Sequence, residues 1–246
     1  MTHTTLSSPL SIVISHLTVG YKDTVVGRDL CADIVPGALT ALLGTNGTGK
    51  STLLRTVAGL QRAISGEVLL KAGDHSPVAV ATLSRQEMAQ HVAVVLTEQP
   101  DVKQLTVSEI VGMGRMPYTG FFGSMDNDDR HIVQQALQDT GLARFSNRYF
   151  DALSDGERQK VMIAKALAQQ TPVIVLDEPT AFLDYPSKVE MMKILHHLAI
   201  SQDKTILLST HDLELALQHA DRLLILRDDL GEMSRASLAD YIRSLR

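Results

Sequence analysis

The stretch Leu39–Leu54 reads LTALLGTNGTGKSTLL and joins an apolar run to a glycine-rich loop and the start of a helix. Gly44 is followed by four residues and then by Gly49, Lys50 and Ser51, which is the spacing of a phosphate-binding loop. Glycines let backbone amides turn inward around an anion, and the N-terminus of the next helix attracts the same charge. The stretch therefore predicts a nucleoside triphosphate ligand. The alternative, a glycine-rich turn without a ligand, is disfavoured by the flanking strand and helix.

Two side chains of this loop have chemistry of their own. Lys50 can reach the outer phosphates as a point charge, and the Ser51 hydroxyl can ligate Mg²⁺. The residues expected to surround the nucleotide are Gly44, Thr45, Asn46, Gly47, Thr48, Gly49, Lys50, Ser51 and Thr52.

The composition is that of a soluble globular domain. The chain has 246 residues, 44% of them hydrophobic and 21% charged, and a net charge of -5, which argues against a general nucleic-acid surface. No apolar run approaches the ~20 residues that cross a bilayer, and the N-terminal sequence lacks the basic start of a secretion signal. Cys31 is the single cysteine, which excludes an internal disulfide and argues against a thiolate metal cluster. We expect a protein on the cytoplasmic side of the membrane.

The order of apolar patterns predicts one domain, 1–246, built from two α/β parts with a helical subdomain at approximately 97–169 between them. Helical periodicity extends from Ser108 to about Gln169. Short β-rich or apolar runs predict strands at Ser11–Leu17, Ala32–Val35, Leu39–Leu43, Glu67–Lys71, His91–Leu96, Val173–Leu176 and Ile206–Leu208.

Two carboxylates end a predicted buried strand in VIVLDEPT, Val173–Thr180. Ligands of open parallel sheets bind at the carboxyl ends of the strands, so this position agrees with the phosphate loop. Asp177 is predicted to hold Mg²⁺, directly or through water, and Glu178 to face a water that attacks the outer phosphate. The alternative is a strand end with two solvated acids.

The segment LSDGERQK, Leu153–Lys160, precedes a predicted helix and has two interpretations. Ser154 followed by Glu157 three residues later is a capping box. A serine, the Gly156 amide and a helix N-terminus also make an anion site.

The order of phosphate loop, LSDGE, VIVLDEPT and LLSTHD resembles the ATP-binding-cassette ATPases over nearly the whole chain. The resemblance implies an α/β P-loop core with an N-terminal antiparallel β subdomain and an inserted helical subdomain. It also implies ATP hydrolysis with Mg²⁺ and a head-to-tail homodimer that encloses two ATP molecules. Ser154 and Gly156 would contact the terminal phosphate of ATP held by the second subunit. The family signature is LSGGQ, from which this chain departs at Asp155 and Glu157.

The resemblance assigns roles to three further residues. His211 matches the switch histidine that contacts the terminal phosphate and orders the attacking water. Asp184, in AFLD, matches the segment that communicates across the dimer, although Phe182 replaces a commonly smaller residue. Tyr21 is placed like the aromatic residue that stacks on adenine; the alternative is that it fills the core.

The family also has a glutamine that helps to bind Mg²⁺ and senses the membrane partner. Counting back from Leu105, this position aligns with Thr97, and Gln99 lies two residues further on. Gln99 can take that role only if the loop shifts, so the sequence leaves the choice between the two open.

The segment GRMPYTGFFG, Gly114–Gly123, and the run AFLDYPSKVEMM are similar to importers of ferric siderophores, haem and vitamin B12. This likeness implies an ATPase subunit that works with transmembrane permease subunits and, indirectly, a solute-binding protein. The aromatic rings of GRMPYTGFFG either pack under the helical subdomain or form an exposed patch that receives helices of the membrane partner. The alternative function is a soluble cassette ATPase in assembly or regulation.

Overall fold

The computed structural model describes residues 9–21, 24–98, 102–119, 124–227 and 229–244. The strands in this part of the chain are β1 (Ser11–Tyr21), β2 (Thr24–Ile34), β3 (Ala38–Leu43), β4 (Ser65–Lys71), β5 (Val78–Ala79), β6 (Val92–Val95), β7 (Val173–Leu176), β8 (Thr205–Thr210), β9 (Arg222–Leu226) and β10 (Leu230–Glu232). The α-helices are α1 (Lys50–Val57), α2 (Arg85–His91), α3 (Val107–Gly112), α4 (Asn127–Asp139), α5 (Asp155–Ala168), α6 (Tyr185–Ser201), α7 (Leu213–His219) and α8 (Arg235–Ser244).

The central sheet has the strand order β10-β9-β3-β8-β7-β6, with β10 antiparallel and the other neighbours parallel. Every residue of β3 is buried, as expected for a parallel strand covered on both faces. Leu39, Ala41 and Leu43 contribute to the core shared with the helices, whereas Leu42 faces the core under the second sheet. This alternation places β3 between the two cores, and the phosphate loop follows its last residue, Leu43.

The second sheet is antiparallel, with the order β2-β1-β4-β5. Its inner side chains, such as Ile12 and Leu70, pack with Leu53 of α1 against one face of the central sheet. The predicted strand Ser11–Leu17 is the first part of β1, which continues to Tyr21 through irregular pairing with β2. The α/β core and the N-terminal antiparallel subdomain are confirmed.

One prediction about local structure was wrong. His91 was assigned to the strand His91–Leu96, but it is the last residue of α2. That helix begins with a capping box in which Ser84 accepts from the Glu87 amide and Glu87 accepts from the Ser84 amide. The box is a sequence signal for a helix start that the apolar pattern alone does not show.

Helices α3, α4 and α5 lie between β6 and β7 in the chain and pack on one another. The apolar side chains that the helical periodicity puts on one face are buried in this layer, among them Val133, Leu137, Val161 and Ala164. These helices fall in the range proposed as the helical subdomain.

The buried Arg115 side chain links α4 and α5 in the interior of this helical layer. Its Nε donates to Asp129 Oδ1 of α4 at 2.8 Å, and its Nη1 donates to the Ala168 carbonyl at the end of α5 at 2.9 Å. The side chains of Arg115 and Asp129 are only 8% and 11% exposed, respectively. The guanidinium also lies 4.3 Å from the centroid of the Tyr118 ring. The sequence analysis considered only the aromatic rings of this segment, for which it left packing and surface exposure open, and it missed the buried ion pair of Arg115 with Asp129.

Replacing Asp129 by Asn is expected to lower the free energy of unfolding by about 3 kcal/mol at neutral pH, because it leaves the buried Arg115 cation without its counter-charge. The hydrogen bond from Arg115 lowers the pKa of Asp129. A carboxyl with a lowered native pKa stabilises the fold above its unfolded pKa, and that contribution disappears as the pH falls through the native pKa. The difference between wild type and Asp129→Asn should therefore shrink in acid.

Urea unfolding at several pH values measures this difference. Asp128→Asn is the matched control, because Asp128 is the exposed neighbour of Asp129 in the same first turn of α4. Equal stability losses in the two variants would contradict a structural role for the ion pair.

Candidate nucleotide-binding site

Three adjacent strands of the central sheet end at one edge. Leu43 pairs with Thr210, and Leu176 pairs with Leu208, so β3, β8 and β7 finish side by side. The phosphate loop follows the first of these strands, His211 the second and Asp177 the third. The register of the sheet thus assembles residues as distant in the chain as Gly44 and His211, which are 167 positions apart.

The glycines of the loop meet local requirements of conformation and space. Gly49, the residue before α1, has φ +97°, and Gly47 has φ +84°, a region that favours glycine. A Cβ on Gly49 would lie 2.7 Å from Cγ2 of Val26, and one on Gly44 would lie 2.9 Å from the Leu226 carbonyl. At Gly44 and Gly49 the backbone can keep its shape only with glycine, and at Gly47 the positive φ favours it.

Lys50 is buried at the first turn of α1, with 5% of its surface exposed. Its Nζ donates to the carbonyls of Gly44 at 2.7 Å and Thr45 at 3.0 Å. Burial lowers the pKa of this amine, while the charges of Glu178 and Asp177 act in the opposite direction. The ammonium group thus lies within the loop and near two carboxylates, where an anionic phosphate is a stronger partner than a carbonyl.

Asp177 is buried and held in place by β8. Ser209 Oγ donates to Asp177 Oδ1 at 2.7 Å and accepts from the Glu178 amide at 2.9 Å. Thr97 Oγ1 donates to the Asp177 backbone carbonyl at 2.9 Å rather than to its carboxylate. Ser209 is fully buried and was missed in the sequence. The signal that could have found it is its position, two residues before His211 at the end of a strand.

Glu178 and His211 form a pair at the mouth of the site. Nδ1 of His211 lies 2.9 Å from Oε2 of Glu178, and their side chains are 55% and 21% exposed. Glu178 has φ +48°, an unusual value for a residue with a side chain. Strained residues of this kind concentrate at functional sites. The pair couples a carboxylate that can accept a proton to an imidazole that can orient it.

The segment predicted to be a capping box or an anion site forms the capping box. Ser154 Oγ accepts from the Glu157 amide at 3.3 Å and donates to Glu157 Oε2 at 2.9 Å, and the Ser154 amide donates to the same carboxylate at 2.9 Å. These two donors lower the pKa of Glu157. The N-terminus of α5 therefore already carries an ionised carboxylate. A Cβ on Gly156 would lie 3.0 Å from Leu183 Cδ2.

The other predicted site residues lie further out. Tyr21 ends β1 with 62% of its surface exposed, as a stacking residue requires. Asp184 caps α6 by accepting from the Ser187 amide at 3.0 Å, and Phe182 beside it is 71% exposed with φ +63°. Gln99 lies outside the described residues. Its proposed role, and those of Tyr21 and Asp184, stay predictions.

The donor set fits a nucleotide with Mg²⁺. Ser51 follows Lys50 in the first turn of α1 and is exposed at the loop. Asp177, buried and bonded by Ser209, supplies the hard oxygen ligand that Mg²⁺ prefers. A glycine-lined backbone cradle, a buried ammonium and a fixed carboxylate at adjacent strand ends define a nucleotide-binding P-loop protein.

The comparison with known proteins identifies the family. The sequence model described as "ABC transporter" matches residues 28–181. The iron(3+)-hydroxamate import ATP-binding protein FhuC of Bacillus subtilis is 38% identical over 88% of this chain and 79% of its own length. The chain belongs to the ABC transporter family. It is the ATP-binding, ATP-hydrolysing type of subunit in that family.

Two further relatives extend the comparison. The cobalamin import ATP-binding protein BtuD of Halobacterium salinarum is 36% identical over 96% of this chain and 58% of its own length. A dimeric post-hydrolysis state of the ATP-binding cassette MJ0796, bound to ADP and Pi, is 26% identical with a TM-score of 0.78 and covers 91% of this chain and 98% of that one. The cassette fold predicted from the sequence is confirmed. Within the described part of the chain, none of the helices has the length and apolar character needed to span a membrane.

Proposed function

We propose that this chain binds ATP with Mg²⁺ and hydrolyses it to drive the import of a ferric siderophore, haem or cobalamin through separate permease subunits. The observation that carries the proposal is the meeting of Lys50, Asp177 and the Glu178–His211 pair at three adjacent strand ends. The substrate class is supported by the names of the relatives, which import iron hydroxamate and cobalamin.

The binding half of the mechanism lies in the phosphate loop. The backbone amides around Gly47 and Gly49 and the N-terminus of α1 surround the phosphates of ATP, and Lys50 adds a positive charge. Ser51 and Asp177 would hold Mg²⁺, which supplies charge neutralisation at the phosphate oxygens. Tyr21 stacks on the adenine from the end of β1.

The chemical half lies in the pair above the loop. Glu178 accepts a proton from the water that attacks the terminal phosphate, so the new P–O bond forms as the bond to ADP breaks. His211 holds the Glu178 carboxylate through Nδ1, and we assign its other ring nitrogen to the terminal phosphate. Positioning and electrostatics of this kind supply most of the rate in phosphoryl transfer.

The site is completed by a second copy of the chain, whose Ser154 and Gly156 would close over the terminal phosphate. Dimeric structures of a related cassette support this arrangement. We assign Asp184 to the dimer contact and the outer side of the helical layer to contact with a permease. Tyr118 and Met116 of the GRMPY segment are 42% and 68% exposed there, which favours the patch interpretation for these two, whereas Phe121 and Phe122 lie outside the described residues.

Replacing Glu157 by Gln is expected to strengthen dimerisation with Mg²⁺ and a non-hydrolysable ATP analogue about tenfold. The charged acceptor that occupies Ser154 Oγ disappears, and so does its repulsion of the incoming phosphate. Glu109→Gln is the matched control, since Glu109 bonds Thr106 in the same way at the start of α3. Analytical ultracentrifugation measures the dissociation constant of the dimer. Equal changes in both variants, or no change in either, would contradict the proposed contact of Ser154 with the terminal phosphate of ATP held by the second copy.

Reconstitution tests the transport function. The chain is combined with a siderophore-class permease in proteoliposomes, and uptake of ferric hydroxamate and of cobalamin is followed with and without ATP. ATP-dependent uptake of either, lost in Glu178→Gln, is the expected result. A fully soluble complex with hydrolysis unaffected by any permease would support the alternative, a cassette ATPase in assembly or regulation.

A further inference from the structure

Three side chains with metal-ligand chemistry meet on the exposed face of the antiparallel sheet, on strands β1 and β2. They are the imidazole of His16, the carboxylate of Asp29 and the thiol of Cys31, all exposed. One nitrogen, oxygen or sulfur atom of each lies within 4.8 Å of the others. Nothing in the proposed ATPase mechanism uses these residues.

The sheet brings them together through two irregularities in the pairing of β1 with β2. Between the pairs Ile14↔Ala32 and Leu17↔Leu30, β1 has one more residue than β2, so Ser15 and His16 face Cys31. Between the pairs Leu17↔Leu30 and Val19↔Gly27, β2 has one more residue than β1, and Asp29 is one of the two β2 residues in this interval. Bulges of this kind turn a side chain away from its regular direction.

Both bulged residues have left-handed backbone conformations, with φ +47° at His16 and φ +51° at Asp29. The contacts among the three groups are short: His16 Nδ1 lies 2.6 Å from Asp29 Oδ1, and the His16 amide donates to Cys31 Sγ at 3.3 Å. An amide that donates to a ligand sulfur helps to orient it.

The donor set matches one class of ion. Imidazole, thiolate and carboxylate together are ligands of Zn²⁺ and similar borderline divalent ions, whereas Mg²⁺ and Ca²⁺ prefer oxygen alone. Around a tetrahedral Zn²⁺, such ligand atoms would lie about 3.5 Å apart, so rotations that move these exposed atoms by about 1 Å are enough. Three protein ligands leave a fourth position for water or an exogenous ligand.

We propose that His16, Asp29 and Cys31 form a binding site for one divalent transition-metal ion of the Zn²⁺ class. The site joins β1 to β2 on the antiparallel sheet and is independent of ATP. A bound ion replaces the direct His16–Asp29 hydrogen bond by coordination and links the two bulges.

Cobalt(II) is the probe for the test, because a thiolate ligand produces a charge-transfer absorption band and Cys31 is the sole cysteine of the chain. The full chain, tag-free and without nucleotide or Mg²⁺, is titrated with Co²⁺ and then with Zn²⁺. We expect one Co²⁺ per chain with this band, displaced by Zn²⁺. Cys31→Ser should abolish the band.

Two variants test the other two ligands and retain the left-handed backbone conformation at each bulge. Asn tolerates left-handed φ values, so His16→Asn and Asp29→Asn keep the bulges and remove the ligands. Each should weaken Co²⁺ binding more than about tenfold, the loss seen even for outer-shell changes. His75→Ala, at an exposed histidine elsewhere, should leave binding unchanged.

Two outcomes of the Co²⁺ titration would contradict the proposed site. The three-residue site would be overturned if the native chain showed no thiolate band with Co²⁺. It would also be overturned if the Co²⁺ affinity, measured through the band, were unchanged in both Asn variants. Circular dichroism of each variant confirms that a lost band reflects a lost ligand and not unfolding.

Discussion

Glu178→Gln is expected to reduce steady-state ATP hydrolysis at least about a hundredfold, the contribution typical of a general base. The amide has the shape of the carboxylate and can still bond His211, but it cannot accept the proton of the attacking water. ATP binding depends on the phosphate loop and on Lys50, so the dissociation constant for ATP should change little. The variant should therefore accumulate an ATP-bound dimer.

Phosphate release, equilibrium binding of a fluorescent ATP analogue and light scattering with Mg²⁺-ATP measure these three quantities. Glu67→Gln on the exposed face of β4 serves as the control for loss of one carboxylate. Unchanged hydrolysis would refute the assignment of Glu178 as the base. Loss of ATP binding together with hydrolysis would instead indicate a structural role at its strained position.

Ser209→Ala is expected to raise the Mg²⁺ concentration for half-maximal hydrolysis by about 10- to 100-fold, the range for removal of a partner that orients a metal ligand. The hydroxyl is the donor to Asp177 Oδ1 and the acceptor for the Glu178 amide, so its loss frees the metal ligand and the base at once. Binding of ATP without Mg²⁺ should be unaffected, because the hydrogen bonds of the Ser209 hydroxyl go to Asp177 and Glu178 and not to the residues that we assign to the phosphates.

Thr40→Val provides the matched control on the neighbouring strand β3. The Thr40 hydroxyl is equally buried and has no hydrogen-bond partner among the described residues, so its removal should leave the Mg²⁺ dependence unchanged. An unaltered Mg²⁺ titration in Ser209→Ala would show that Asp177 is held by its burial alone.

The sequence was most informative where the chemistry is local. The phosphate loop needs glycine at Gly47 and Gly49 for their φ values and a lysine at the start of α1, and these requirements fall within a few consecutive residues. The strand before the loop and the strand before Asp177 were also predictable, because buried parallel strands are continuous apolar runs.

Contacts between distant segments could not be predicted in the same way. Ser209 is an ordinary strand residue until the register of β7 with β8 puts its hydroxyl between Asp177 and the Glu178 amide. The choice between capping box and anion site at Ser154 was open, because both use the same donors, and the observed Glu157 contact shows the capped form.

The sequence by itself determined that this chain has a P-loop, two carboxylates at a strand end and the segment order of an ABC transporter ATPase. Only the tertiary structure showed that Arg115 is a buried support of the helical layer and that two bulges bring His16 and Asp29 to Cys31. The physical reason is that local motifs depend on backbone conformation over a few residues. Pairing register and burial, in contrast, depend on the packing of the whole chain.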